Sequence, residues 1–226
     1  MINQKGFQII ENIYSAEEIN RIIDKINRTG TATNNFRKSS ELYAIRNFLN
    51  EIPEIQMLVF NQNLKSLVAG FGLGYLPVKS IYFDKPPQSN WFVAWHQDIT
   101  ISVNEKANAD GYSNWVPKNG YYSVNPPVEV LENLVTVRIH LDDTTAGNGA
   151  LHVLPASHLE GIKRVEKVDA GNRYICEVKG GGVMLMKPLL FHSSARTANN
   201  ERRRVIHIEF SNMELPGRLK WAERTI

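Results

Sequence analysis

The sequence holds a single cysteine, Cys176, among 226 residues. One thiol cannot close an intramolecular disulfide or build a cysteine-rich zinc site, so a reducing, cytoplasmic setting is expected. Long apolar runs are missing as well. No stretch approaches the roughly 18 residues of a bilayer-spanning helix, and the N-terminal segment has no apolar block of signal-peptide length, so neither export nor a membrane span is expected. A surplus of one charge is also lacking: the net charge is +3, part of it from the single cluster Arg202, Arg203 and Arg204. Without a long basic stripe, nucleic acid is not an expected partner. The rest is ordinary for a folded chain, with 42% hydrophobic and 22% charged residues, and is enough for one domain spanning 1–226.

Residues 15–28 are predicted to be helical, because Ser15-Ala-Glu-Glu18 reads as a capping box and Ile19, Ile22, Ile23 and Ile26 recur at helical spacing. Helices are also expected over 41–49 and 53–70, the second opening at Pro53 and closing near Gly70 and Gly72. The chain up to residue 75 thus reads as mainly α. Beyond it the period changes. Segments 79–84, 91–101, 134–142, 183–186 and 203–210 are rich in β-branched and aromatic residues, and Gly, Pro, Asn and Asp bound them. Short strands without long helices between them favour a sandwich or barrel over a parallel sheet. In 134–142, Val135, Val137, Ile139 and Leu141 share one face, and Thr136, Arg138, His140 and Asp142 the other. One face should pack on helices while the other lines a polar cavity. Gly180-Gly181-Gly182 marks a tight turn into a strand.

Residues 103–130 show no clear period and are too long for an ordinary hairpin loop. With Trp115, Tyr121 and Tyr122 as apolar cover, they are expected to form a mobile lid over a small polar substrate, anionic or amino-acid-like, with Arg138 as its anchor.

His96-Gln97-Asp98 lies in a strand-like stretch, so an imidazole and a carboxylate two residues apart can meet one ion. His192 follows the segment 183–186, 94 residues after Asp98, and is the candidate third ligand. Two imidazoles and one carboxylate occupy one face of an octahedral ion and leave three positions open, a geometry suited to Fe(II) oxygen chemistry. Arg203 stands eleven residues after His192, at the start of a β-pattern, where a guanidinium can grip a dicarboxylate in bidentate fashion.

Together these motifs resemble the phytanoyl-CoA dioxygenase-like branch of the Fe(II)/2-oxoglutarate oxygenases. The resemblance is carried by Phe83-Asp-Lys-Pro-Pro87, by His96-Gln-Asp98, by Asn148-Gly-Ala-Leu-His-Val-Leu-Pro-Ala-Ser-His158, and by His192-Ser-Ser194 followed by Arg203. It runs from about residue 76 to 210. It implies a mainly β protein with N-terminal helices, built on a double-stranded β-helix, the jelly-roll or cupin-like barrel, with the metal at its open end. Carried over residue by residue, it implies His96, Asp98 and His192 as iron ligands, Arg203 as the partner of the 2-oxoglutarate C5 carboxylate, and Ser194 and Gln97 as its hydrogen-bonding neighbours. The implied reaction consumes O2 and turns 2-oxoglutarate into succinate and CO2. Hydroxylation of a substrate C–H bond is the default outcome; desaturation, ring closure and epimerisation stay open, and halogenation is disfavoured because a halide needs the position of Asp98.

Two positions depart from the family pattern. Arg138 stands where the acyl-CoA enzyme has an aromatic residue, which argues against an acyl-CoA substrate, and Ala156 stands where glycine is usual. Among the other histidines, His152 and His158 belong to a structural turn and strand, His207 shares the parity of Arg203, and His140 shares the polar strand face of Arg138. Lys85-Pro86-Pro87 reads as a rigidified loop. Arg138, His140 and Trp115 are the candidate substrate contacts. The competing expectation is a barrel that binds a small ligand without turnover, its metal site vestigial or structural; in a hydrolytic zinc enzyme, Arg203 and Ser194 would have no evident task.

Overall fold

Alternation along one central strand decides how the layers stack. In Val135–His140, the side chains of Val137 and Ile139 enter a core shared with helical residues such as Ile22, Phe48, Leu49 and Leu64, while Arg138 and His140 face the opposite way. The computed structural model describes residues 2–29, 35–38, 43–87, 89, 91–165 and 169–223. Among them are strands β1 (Phe7–Ile10), β2 (Phe36–Lys38), β3 (Tyr43–Arg46), β4 (Leu76–Lys85), β5 (Val93–His96), β6 (Ile101–Val103) and β7 (Ser113–Pro117). They continue as β8 (Tyr122–Asn125), β9 (Val135–His140), β10 (Leu151–Val153), β11 (Tyr174–Cys176), β12 (Val183–Met186), β13 (His192–Ser194) and β14 (Arg203–Ser211).

All named strand pairings are antiparallel. A seven-stranded sheet runs β1-β12-β9-β14-β4-β3-β2, and a four-stranded sheet runs β11-β10-β13-β5. Residues of both sheets wall one cavity, so the sheets face each other as the two halves of a jelly roll. The expected double-stranded β-helix is the fold observed. Gly181 makes the turn into β12 at φ +83°, and a Cβ there would lie 2.5 Å from the Tyr14 carbonyl oxygen, so only glycine fits.

The predicted capping box is present on the helix Ala16–Arg28: the Glu18 amide donates to Ser15 Oγ (3.2 Å) and the Ser15 amide to Glu18 Oε2 (2.8 Å). Elsewhere the first 75 residues are less helical than their pattern suggests. β1 pairs with β12 and β3 with β4, because long-range partners override local propensity. Within the predicted helix 41–49, strand β3 precedes a single turn, Phe48–Glu51, and residues 41 and 42 lie outside the described residues. The predicted helix 53–70 is three pieces, Pro53–Ile55, Gln56–Val59 and Gln62–Ala69. The break falls at Asn61, which takes the N-cap role: its Oδ1 accepts the Leu64 amide at 2.9 Å and its Nδ2 donates to the Ile13 carbonyl.

Segment 103–130 is built rather than loose. β6, β8 and β7 form a third, three-stranded sheet, and the helix Val128–Asn133 leads back to β9. Trp115 sits between Tyr112 and Tyr122, with ring centroids 6.3 and 6.4 Å away, on a core that includes Ile101, Leu131 and Trp221. No described helix is long and apolar enough to cross a membrane.

Candidate metal centre and its dicarboxylate pocket

Two of the three predicted ligands are neighbours on one ladder. β13 pairs with β5 so that His192 lies directly opposite His96, and the ring centroids are 4.1 Å apart. β5 ends at His96. Asp98 follows on coil, tied by its own amide to the Pro188 carbonyl at 2.9 Å. Its carboxylate oxygens stand 3.8 Å from His96 Nε2 and 3.7 Å from His192 Nε2, so one ligand atom from each residue falls within a single 4.8 Å cluster.

Hydrogen bonds outside the cluster set the chemistry of both rings. Nδ1–H of His96 donates to the Ala94 carbonyl at 2.8 Å, and Nδ1–H of His192 to the Leu190 carbonyl at 2.9 Å. With Nδ1 protonated, each neutral ring offers its Nε2 lone pair toward Asp98, as metal-bound histidines do. Burial pushes the His192 imidazolium pKa down to about 4, which keeps that ring neutral. Burial alone would raise the Asp98 pKa, but its electrostatic interactions with the neighbouring His192, His207, Lys79 and His96 outweigh it and hold the carboxyl well below its usual range.

A cavity of about 200 Å³ opens beside this cluster, walled by both sheets. Strand alternation turns Arg203 into it and sends Arg202 and Arg204 outward, where they pair with Asp84 and Asp142. Arg203 is buried; among the described residues Ser194 Oγ lies 3.4 Å from its Nη2, and Nε and Nη1 have no partner. Directly across the ladder from it stands Lys85, also fully buried, whose Nζ donates to the Ala195 carbonyl at 2.5 Å. Two buried cations facing each other repel. Burial and then Arg203 bring the Lys85 pKa down to about 7, and burial and then Arg138 bring that of Arg203 down to about 9. Gly149 closes this corner at φ +86°, where a Cβ would lie 2.7 Å from Lys85 Nζ.

Arg138 enters the same cavity from β9, opposite His207 of β14. Its Nη1 donates to His207 Nδ1 (3.1 Å), so Nε2–H of that ring donates to Glu209 Oε1 (3.2 Å), which also pairs with Lys79 at 2.7 Å. Asp142 belongs to Arg204 and leaves Arg138 free of that pairing. The remaining candidates lie elsewhere. Gln97 turns away from the cavity: its Nε2 donates to the Gly161 and Leu189 carbonyls, and its Oε1 accepts the Lys163 amide. His140 is buried against Thr144 Oγ1 at 2.7 Å and does not line the cavity, nor does Trp115. His158 bonds the Asn3 carbonyl, and His152 is half-buried on β10. Ala156, in the place of the family's glycine, adopts φ +67°. Lys85 is the residue that sequence reasoning missed. β4 runs one residue past the predicted strand, and Lys85 falls on the parity of Lys79, Ile81 and Phe83, buried opposite Arg203 though not itself a lining residue of the cavity.

The donors fit what the resemblance implies. Three ligand atoms converge with lone pairs free, and the orphaned guanidinium nitrogens of Arg203, facing Lys85, call for an anion with more than one oxygen. A jelly roll carrying such a cluster beside a buried arginine pocket defines an Fe(II)- and 2-oxoglutarate-dependent oxygenase, an oxidoreductase that uses O2. The pattern of the phytanoyl-CoA dioxygenase (PhyH) family matches residues 2–205, and the chain belongs to that family.

Solved structures share the fold at low identity. AviO1 from Streptomyces viridochromogenes Tue57 is 20% identical with a TM-score of 0.68, the match covering 96% of this chain and 94% of that one. HygX from Streptomyces hygroscopicus, solved with nickel and 2-oxoglutarate bound, is 15% identical with a TM-score of 0.66, covering 93% and 84%. The non-haem α-ketoglutarate-dependent epimerase SnoN from nogalamycin biosynthesis is 14% identical with a TM-score of 0.69, covering 93% and 80%. No curated protein sequence matches the chain.

Proposed function

We propose that this oxygenase hydroxylates a C–H bond of a small polar, anionic molecule, with His96, Asp98 and His192 holding Fe(II) and with Arg203, Lys85 and Ser194 holding the C5 carboxylate of 2-oxoglutarate. The observation that carries the reading is the buried Arg203, with Nε and Nη1 unpartnered among the described residues, opening into the same cavity as the three converging side chains. When bound, iron would let O2 act as the oxidant, taking two electrons from 2-oxoglutarate as it becomes succinate and CO2 and two from the substrate C–H bond. The chain's own residues do the positioning. The Ala94 and Leu190 carbonyls fix the two imidazole tautomers, and Arg203 and Arg138, both lining the cavity, would hold the two carboxylates of one dianion. Ile81, Phe83, Val93 and Leu151 give the cavity apolar walls that exclude water beside the three converging side chains.

The first test is anaerobic addition of Fe(II) and 2-oxoglutarate to the purified protein, read as a visible charge-transfer band. Absence of the band would favour a barrel that binds ligands without turnover. The second is a substrate screen by mass spectrometry, in which hydroxylation appears as a 16 Da gain coupled to succinate. A product lighter by 2 Da, or of unchanged mass with inverted configuration, would replace hydroxylation by desaturation or ring closure, or by epimerisation.

A further inference from the structure

A second cavity, of about 190 Å³, meets the first at Asp98. The two share Lys79, Ile81 and Asp98, so they adjoin along one wall, and Asp98 is the member of the candidate metal cluster that lines both. Their linings differ. The first carries the buried arginines and most of the apolar walls; the second is walled by Thr100, Ser102, Ser123, Asn47 and Tyr121, with Ile81 as its one aliphatic side chain. A bare acyl chain would strand these hydroxyl and amide groups without partners, whereas a molecule bearing several hydroxyls satisfies them.

The charges of the second chamber do not cancel. Lys79 is committed to Glu209 and to the Thr100 carbonyl; the Glu223 carboxyl is bonded by the amide and hydroxyl of Ser80, and burial pushes its pKa up to about 7, toward the neutral form, while Asp98 belongs to the candidate metal cluster. What remains is Arg46, at the end of β3, and Lys118, in the turn between β7 and β8. That turn is closed by the Lys118 amide donating to the Tyr121 carbonyl at 2.8 Å, so both side chains are presented to the chamber from one tight loop. Among the described residues, neither Arg46 nor Lys118 has an ion-pair partner.

Resting on the proposed function, which fills the first cavity with 2-oxoglutarate, we propose that the second chamber is the substrate site. It takes a polyhydroxylated anion, such as a sugar ring with one carboxylate or phosphate, whose charge lies between Arg46 and Lys118 and whose reacting carbon lies toward Asp98. The segment 103–130 then selects substrate through Lys118 and Tyr121 rather than through Trp115. The charge is read by two cations from separate parts of the chain, and the ring by hydroxyl groups around the wall.

The test uses full-length protein loaded anaerobically with Fe(II) and excess 2-oxoglutarate, so that the first cavity is filled, and isothermal titration calorimetry with four probes: methyl glucuronide, glucose 6-phosphate, methyl glucoside and octanoate. The two sugar anions should bind about five- to ten-fold tighter than methyl glucoside, the size that two partly exposed ion pairs give. Octanoate should give no binding heat. The double variant Arg46→Ala/Lys118→Ala should bind all three sugars alike while forming the charge-transfer band as the wild type does. Failure of both sugar anions to bind, equal binding of methyl glucoside, tight binding of octanoate, or a preference that survives in the double variant overturns the assignment. If the band forms but the preference is missing, the substrate chamber alone is wrong; if the wild type forms no band, the co-substrate reading fails and takes the chamber with it.

Discussion

Replacing Arg203 by alanine separates a co-substrate site from an ordinary basic cluster. The guanidinium is buried, faces Lys85 across the ladder and leaves two nitrogens without a protein partner. A carboxylate bound there gains charged hydrogen bonds worth about 1.5–3 kcal/mol, so Arg203→Ala should weaken 2-oxoglutarate about ten- to hundred-fold. At a ligand concentration about a hundred times the wild-type Kd, binding stabilises the wild type by about 2.7 kcal/mol. The variant, then at about one to ten times its own Kd, gains only about 0.4–1.4 kcal/mol. At roughly 2–4 °C per kcal/mol for a chain of this size, the wild-type shift of about 5–10 °C should fall to about half or less. Anaerobic thermal denaturation with Fe(II) held constant reads this directly. Arg202→Ala and Arg204→Ala should behave in the opposite way: each loses an ion pair, to Asp84 or Asp142, and lowers the ligand-free Tm while keeping the full ligand shift. An undiminished shift in Arg203→Ala, or an equal loss in all three variants, refutes the reasoning.

Alanine at His96, Asp98 or His192 should abolish succinate formation and lower bound iron, measured by elemental analysis, while circular dichroism stays native; turnover retained in any two would discard the triad. Burial holds the Lys85 pKa at about 7, and a bound carboxylate favours its charged form, so 2-oxoglutarate affinity should fall as pH rises from 6.5 to 8.5, with proton uptake on binding. Calorimetry in two buffers should show that dependence disappear in Lys85→Met; a flat wild-type profile contradicts it. Ala156 pays for a left-handed backbone with about 1–2 kcal/mol, part of which glycine's freedom in the unfolded chain would offset. Ala156→Gly should therefore raise Tm by about 1–4 °C, and a lower Tm would mean that the turn is unstrained.

Arg203 was legible because strand parity, a local property of the sequence, turns it inward while Arg202 and Arg204 turn out. The His-x-Asp spacing brought out the candidate cluster although β5 ends at His96 and Asp98 stands on coil, held there by its amide bonding the Pro188 carbonyl. Lys85 was hidden by its neighbours: Lys-Pro-Pro reads as loop, yet β4 reaches its lysine before the prolines end it. Gln97 was misplaced because β5 stops at His96, after which the backbone turns its amide toward the 161–163 and 189 carbonyls and amides. The N-terminal strands left little trace, since what makes residues 7–10 a strand is a partner at 183–186. Of the aromatics expected to cover the iron, Trp115 and Tyr122 pack against the core of a small sheet while Tyr121 lines the second chamber, because nothing in the spacing of Trp115 tells which core it joins.

The two imidazoles and the carboxylate are not anchored alike. His96 and His192 form one rung of an antiparallel ladder, so their separation is fixed by backbone pairing, whereas Asp98 hangs on coil by a single amide bond to Pro188. Exchanging the carboxylate for a small neutral side chain would therefore disturb no strand pairing, and it would leave a vacancy in the coordination sphere that an external anion could fill with both rings still in place. On the proposed assignment, the scaffold carries its carboxylate ligand on coil, so a switch of reaction type would need one substitution there and no change in the barrel.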